Sequence, residues 1–199
     1  MNNKKVLSFT LLLALLLQIF AMPFSVAAAA KVNGLQKIDG KTYYYKQGVM
    51  LKNEWVTVDG NTYYFGKNGE AYTGYKKVGK DRYYFDKNSR RVSDKTVKIN
   101  GKRYYFMSDG KAPKRAAMVN GKIWKTNSGG KLLKNISSLA KEGKDFKAFR
   151  KAAGNPLKTE SSTSCLGPGN DVNYTYDNFI VSTYQYQGSQ KILAVATII

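Results

Sequence analysis

One pattern recurs five times in the middle of this chain: a β-branched residue, a turn pair, a short polar stretch, then aromatics. The copies are Ile38-Asp39-Gly40-Lys41-Thr42-Tyr43-Tyr44-Tyr45, Val58-Asp59-Gly60-Asn61-Thr62-Tyr63-Tyr64-Phe65, Val78-Gly79-Lys80-Asp81-Arg82-Tyr83-Tyr84-Phe85 and Ile99-Asn100-Gly101-Lys102-Arg103-Tyr104-Tyr105-Phe106. A worn fifth follows, Val119-Asn120-Gly121-Lys122-Ile123-Trp124-Lys125. Aligning 44, 64, 84, 105 and 124 gives steps of 20, 20, 21 and 19 residues, and Gly48, Gly69, Ser89, Gly110 and Gly129 follow the aromatics in turn. A unit this short has no core of its own, so the copies must stack and cover one another.

The turn pair says what each unit is. Asp-Gly or Asn-Gly between a β-branched residue and an aromatic run marks a two-residue hairpin, because both residues reach positive φ cheaply. A lone short hairpin is marginal in water, which again demands stacking. The expected fold is therefore mostly β: a β-hairpin repeat solenoid over residues 31–133, followed by a small α+β domain over 134–199.

The second part differs in kind. Asp145 to Ala153 reads as an amphipathic helix with Phe146, Phe149 and Ala153 on one face, closed by Gly154-Asn155-Pro156. Ser137 and Ser138 open a shorter helical turn. Strand-like pieces follow at 157–165, 172–176, 179–186 and 191–199, separated by turn residues, so a helix plus an antiparallel meander is expected. In element order this segment resembles half of a β-lactamase-inhibitor-type domain. The apolar strand ending at Ile199 fits either one half of such a pair or a complete small domain.

Charge locates the interaction surface. Residues 31–133 hold 23 Lys+Arg against 8 Asp+Glu, and residues 134–199 hold 8 against 5. The basic excess belongs to the repeats, where Lys41, Lys80, Lys102, Arg103 and Lys122 fall at or beside the turns as candidate contacts for a polyanion. At the start, Lys4-Lys5, an apolar run from Val6 to Phe20 and an Ala-rich stretch to Ala30 give the layout of a secretory signal peptide. The expected mature chain is secreted, which argues against nucleic acid as a partner and leaves no membrane contact after cleavage.

Catalysis finds little footing. The chain has no histidine, so a Ser–His or Cys–His pair is impossible. A single cysteine, Cys165, excludes an internal disulfide and reads as a buried small hydrophobe or a stray thiol. The acidic residues show no metal-binding or glycosidase spacing, so no cofactor and no metal are expected.

The repeats resemble the cell-wall-binding, or choline-binding, repeats of Gram-positive surface proteins. They are similar as well to the glucan-binding repeats of streptococcal enzymes and the C-terminal repeats of large clostridial toxins. The family pattern runs Gly-Trp, Asn-Gly, Trp-Tyr-Tyr/Phe, a turn glycine, then Met or Ala. Glu54-Trp55 and Gly74-Tyr75 stand at the Gly-Trp step, and Asn100 to Phe106 matches the toxin-like variant. The resemblance implies ligand cages between successive hairpins. Each would use the Gly-Trp aromatic, the first aromatic of its own triplet and the second of the next. Carried over by position, the candidate ligand-binding sets are Trp55, Tyr63 and Tyr84, and Tyr75, Tyr83 and Tyr105. Leu35, Thr96 and Arg115 replace the first aromatic elsewhere. Such a cage holds a quaternary ammonium by cation–π attraction, and tyrosine faces suit a sugar ring equally. The expected function is that of a secreted, non-catalytic protein bound to cell-wall glycan or teichoic acid, with a protein partner for the second domain. The alternatives are an adhesin for foreign carbohydrate or a small wall-active enzyme in residues 134–199.

Overall fold

The computed structural model describes residues 31–198; the expected signal peptide, residues 1–30, lies outside the described residues. Five antiparallel hairpins follow one another. They pair β1 (Gly34–Ile38) with β2 (Lys41–Lys46), β4 (Glu54–Val58) with β5 (Asn61–Phe65), and β6 (Gly74–Val78) with β7 (Asp81–Phe85). The last two pair β8 (Lys95–Ile99) with β9 (Lys102–Phe106) and β10 (Ala116–Val119) with β11 (Lys122–Thr126). Short strands β3 (Val49–Met50) and β12 (Leu132–Asn135) extend the first and fifth hairpins.

The turns follow their chemistry. Asp39-Gly40, Asp59-Gly60, Asn100-Gly101 and Asn120-Gly121 all have positive φ at both positions, the type I′ geometry that matches strand twist. Gly79-Lys80 has it only at Gly79, φ 59°, as a Gly-first turn requires. The strand after each turn starts its third residue at Tyr43, Tyr63, Tyr83, Tyr104 and Trp124. This corrects the alignment of the fifth copy: Trp124 stands in the first aromatic place, not the middle one. The same shift moves its turn. The bond Gly69 N–H to Gly66 O recurs as Ser89 to Asp86, Gly110 to Met107 and Gly130 to Asn127, so Gly130 rather than Gly129 takes the turn position.

Long-range backbone bonds set the spacing between steps. Ala71 N–H donates to Thr42 O at 2.8 Å, Arg91 to Thr62 at 2.7 Å and Ala112 to Arg82 at 2.8 Å. The end of each step is thereby tied to the hairpin before it, and the backbone groups left over by a two-stranded sheet find partners.

Beyond the hairpins lie a 3₁₀ turn (Ser137–Leu139), helix α1 (Phe146–Ala153) and a four-stranded meander. Its strands are β13 (Lys158–Thr163), β14 (Asn170–Thr175), β15 (Phe179–Tyr186) and β16 (Ser189–Thr197), in that order. Asp145 caps the helix by accepting from Lys147 N at 2.7 Å, and Gly154 ends it with φ 91°. Phe146, Phe149 and Ala153 are buried on the sheet, with Phe146 stacked on Tyr174 at 4.0 Å. This core also takes in Ala116 and Ile123 of the fifth hairpin.

A polar clasp joins the fifth hairpin to the meander. The Asp177 carboxylate, in the β14–β15 turn, accepts from Lys114 N at 3.1 Å and Arg115 N at 3.0 Å. Asn178 accepts from Met118 N and donates to Met118 O. Burial pushes the Asp177 carboxyl above the usual carboxylate range, and the donated N–H groups pull it back. Asp177→Ala strands two backbone donors and is expected to destabilise the fifth hairpin and meander by about 1–3 kcal/mol, read as a lower melting temperature. Asp177→Asn keeps an acceptor and is expected to lose less.

Candidate functional site

Alternation along the strands decides which aromatics meet. Successive side chains point to opposite faces, and cross-strand partners share a face. Trp55 pairs with Tyr64 and Tyr75 with Tyr84. Each pair forms the forward face of its step. Tyr63 with Phe65, and Tyr83 with Phe85, form the rear faces.

Each junction therefore joins one step's forward pair to the next step's rear pair. At the second junction, Trp55 lies 5.0 Å from Tyr64, 4.9 Å from Tyr83 and 5.9 Å from Phe85, ring centre to ring centre. Tyr72 closes the side at 5.1 Å from Tyr64 and 6.1 Å from Phe85. At the third junction, Tyr75 meets Tyr104 at 5.4 Å and Phe106 at 6.2 Å, while Tyr84 meets Phe106 at 5.9 Å.

The expected sets are thus regrouped. Trp55 comes together with Tyr83, not with Tyr63 or Tyr84; Tyr63 packs rearward with Phe65, Leu35 and Tyr44. Tyr75 comes together with Tyr84 and Tyr104, not with Tyr83 or Tyr105. Tyr105 is buried, packs with Ala117 and Val119, and donates its hydroxyl to Asp94 at 2.7 Å. Tyr64, Tyr72, Phe85 and Tyr104 were not among the expected site residues. Counting back from the two-residue turn, which pairs 58 with 61, places 55 opposite 64 and supplies the missing signal.

The two junctions differ in access. Trp55 is 39% exposed. Tyr75 is half-buried: its hydroxyl donates to Gly129 O, in the turn after the fifth hairpin, at 2.6 Å, and a side chain at 129 would meet that hydroxyl. Burial pushes the hydroxyls of Tyr64, Tyr75 and Tyr83 above the ordinary tyrosine range. Their rings are neutral faces at physiological pH.

The expected basic residues stand at the hairpin tips, but two are already engaged. Lys41 pairs with Glu70 at 3.0 Å, which raises its pKa. The Arg103 guanidinium lies 4.9 Å over the Trp124 ring. Among the described residues Lys80, Lys102 and Lys122 form no ion pair. A groove of about 440 Å³ adds cations that tip position did not reveal: Lys37, Lys87 and Arg90 line it with Lys41, Tyr63 and Glu70. Cys165 is exposed, which discards its reading as a buried hydrophobe. Among the described residues no helix is long and apolar enough to cross a membrane, and no three metal-ligating side chains cluster.

Comparison with known proteins meets this geometry. The family "Choline-binding repeat" matches residues 32–74, and "Putative cell wall binding repeat" matches 73–88 and 97–112. No curated protein matches the chain. Among solved structures, CbpJ from Streptococcus pneumoniae TIGR4 aligns at 18% identity and a TM-score of 0.46, over 80% of this chain and 42% of that one. Choline binding protein F from Streptococcus pneumoniae, in the presence of a peptidoglycan analogue, aligns at 23% identity and 0.45, over 73% and 39%. The multimodular pneumococcal cell wall endolysin from phage Cp-1, complexed with choline, aligns at 29% and 0.38, over 52% and 31%. The chain spans less than half the length of each. The hairpin steps, their spacing and the two family matches agree: residues 32–88 and 97–112 are repeats of the choline-binding, cell-wall-binding kind.

Proposed function

We propose that the chain is a secreted, non-catalytic protein held to a Gram-positive cell wall by its repeats, through teichoic acid or wall glycan. In this reading residues 1–30 direct secretion and residues 31–133 bind the wall. Residues 134–199 form a small domain that engages a protein partner, its position fixed by the shared core and the Asp177 clasp. The observation that carries the reading is the open aromatic junction at Trp55 within an array holding 23 of the chain's 33 basic residues. An aromatic face stacks on a sugar or a cationic head group, and arrayed lysines add avidity for a polyanion. The absence of histidine removes Ser–His and Cys–His nucleophile pairs from the chain's chemistry.

Co-sedimentation with purified walls, intact and stripped of teichoic acid, tests it. Retention is expected on intact walls, with a loss of at least about tenfold between low and moderate salt, since exposed charge pairs are screened. Retention that survives stripping assigns the ligand to glycan. No retention on either wall rejects the reading.

A further inference from the structure

In the steps of this array, the residue two places beyond the turn position is Met50, Ala71, Arg91, Ala112 or Leu132. Only the third step carries a charge there, and three contacts hold it. The Arg91 N–H donates to Thr62 O. Its stem lies on Gly110, where a Cβ would stand 2.6 Å from the Arg91 Cδ. Its guanidinium stands 5.9 Å over the Trp55 ring. Arg91 Nε is buried there without a hydrogen-bond partner, as befits a head group set against ring faces. Trp55, which gathers Tyr64, Tyr83 and Phe85 about itself, thus carries over its face a cation that the chain itself supplies. Two other arginines stand over rings from a different place, inside the second strand of a hairpin: Arg82 over Tyr75 at 5.5 Å and Arg103 over Trp124 at 4.9 Å.

We infer that Arg91 is the resident cation of the Trp55 junction and makes it refuse quaternary ammonium ligands. A ring quadrupole attracts any cation placed over it, and a tethered guanidinium competes with a free ligand at the high effective concentration of an intramolecular group. The inference rests on the wall-binding reading and narrows it: the wall polymer is recognised here through its sugar or phosphate, not through choline. Gly110 belongs to the device, because it alone leaves room for the arginine stem.

The test titrates the full chain with choline chloride and follows the indole N–H resonance of Trp55. Arg91→Met places at this position the side chain that Met50 already presents over Gly69, so the stack is preserved. The native chain is expected to show no saturable shift, and Arg91→Met to saturate at a choline concentration at least about tenfold lower than any native response. Arg91→Lys keeps a charge and is expected to stay unresponsive. An equal response in native and Met chains overturns the inference. So does no response in either, or a Lys variant that behaves like Met. On walls, choline washing is expected to release Arg91→Met more readily than the native chain. Failure of the native chain to sediment with walls strikes the wall-binding reading alone, since the titration reads Arg91 without walls.

Discussion

Phe149→Ala is expected to loosen the meander and the fifth hairpin together while leaving the first three steps intact. Phe149 is fully buried, 5.6 Å from Tyr176 and 6.4 Å from Phe179, both edge-on. Removing such a ring leaves a cavity that neighbours fill only in part, at a cost of about 3–5 kcal/mol. The core that loses it runs from Ala116 and Ile123 to Val181 and Ile192. Hydrogen exchange is the measurement. The amides of Val172, Val181 and Ile123 are expected to lose roughly a hundred- to several-thousandfold of their protection. Those of Phe65 and Tyr83 should change little, because a stacked array transmits stability chiefly between neighbours. Uniform loss along the chain would mean one cooperative unit. Unchanged protection at Ile123 would return the fifth hairpin to the array.

Much of this architecture was legible because it is local. Asp-Gly, Asn-Gly and Gly-Lys pairs dictate two-residue turns, and the turns fix every hairpin register by counting. Helix α1 was equally plain, with Phe146, Phe149 and Ala153 at helical spacing and Gly154-Asn155-Pro156 as its stop, though Asp145 is its cap rather than its first residue. The regrouping of the aromatics shows where reading by pattern fell short. Position in a family pattern placed Tyr63 and Tyr84 beside Trp55, but strand alternation turns both away, and the pair 58–61 already determined 55–64. The slip at Trp124 has the same origin: aligning on the aromatic rather than on Asn120-Gly121 moved the fifth step by one residue. Arg91 was illegible for another reason. Its role depends on a stem laid across Gly110 and a head set over Trp55, partners 19 residues after it and 36 before it in the chain. No local signal reports a contact between three steps. The basic groove was hidden likewise, since Lys37 and Arg90 meet only once the steps have stacked.

Phe85→Ala and Phe106→Ala form a matched pair that separates packing from binding. Both rings are fully buried, both end their aromatic triplets, and both close the rear of a junction. Each substitution is expected to cost about 3–5 kcal/mol by the same cavity argument, so loss of stability alone would make them equal. Their neighbours differ. Phe85 backs Trp55 at 5.9 Å and Tyr72 at 6.1 Å, and its strand bridges to the segment carrying Arg91. Phe106 backs Tyr75 and Tyr84, at a junction bordered by the turn after the fifth hairpin. Without Phe85 the indole loses its stacked neighbour, and with it the packing that sets the ring under the Arg91 guanidinium. Wall retention at a temperature where both variants remain folded is expected to fall at least about tenfold for Phe85→Ala, a loss of roughly 1.4 kcal/mol of binding. For Phe106→Ala it should fall about twofold or less, the remainder of its effect appearing in melting temperature. Equal losses of retention would show that the array binds through its overall rigidity and charge rather than through the Trp55 junction. A larger loss for Phe106→Ala would move the binding step to Tyr75, despite the hydrogen bond that Gly129 accepts there.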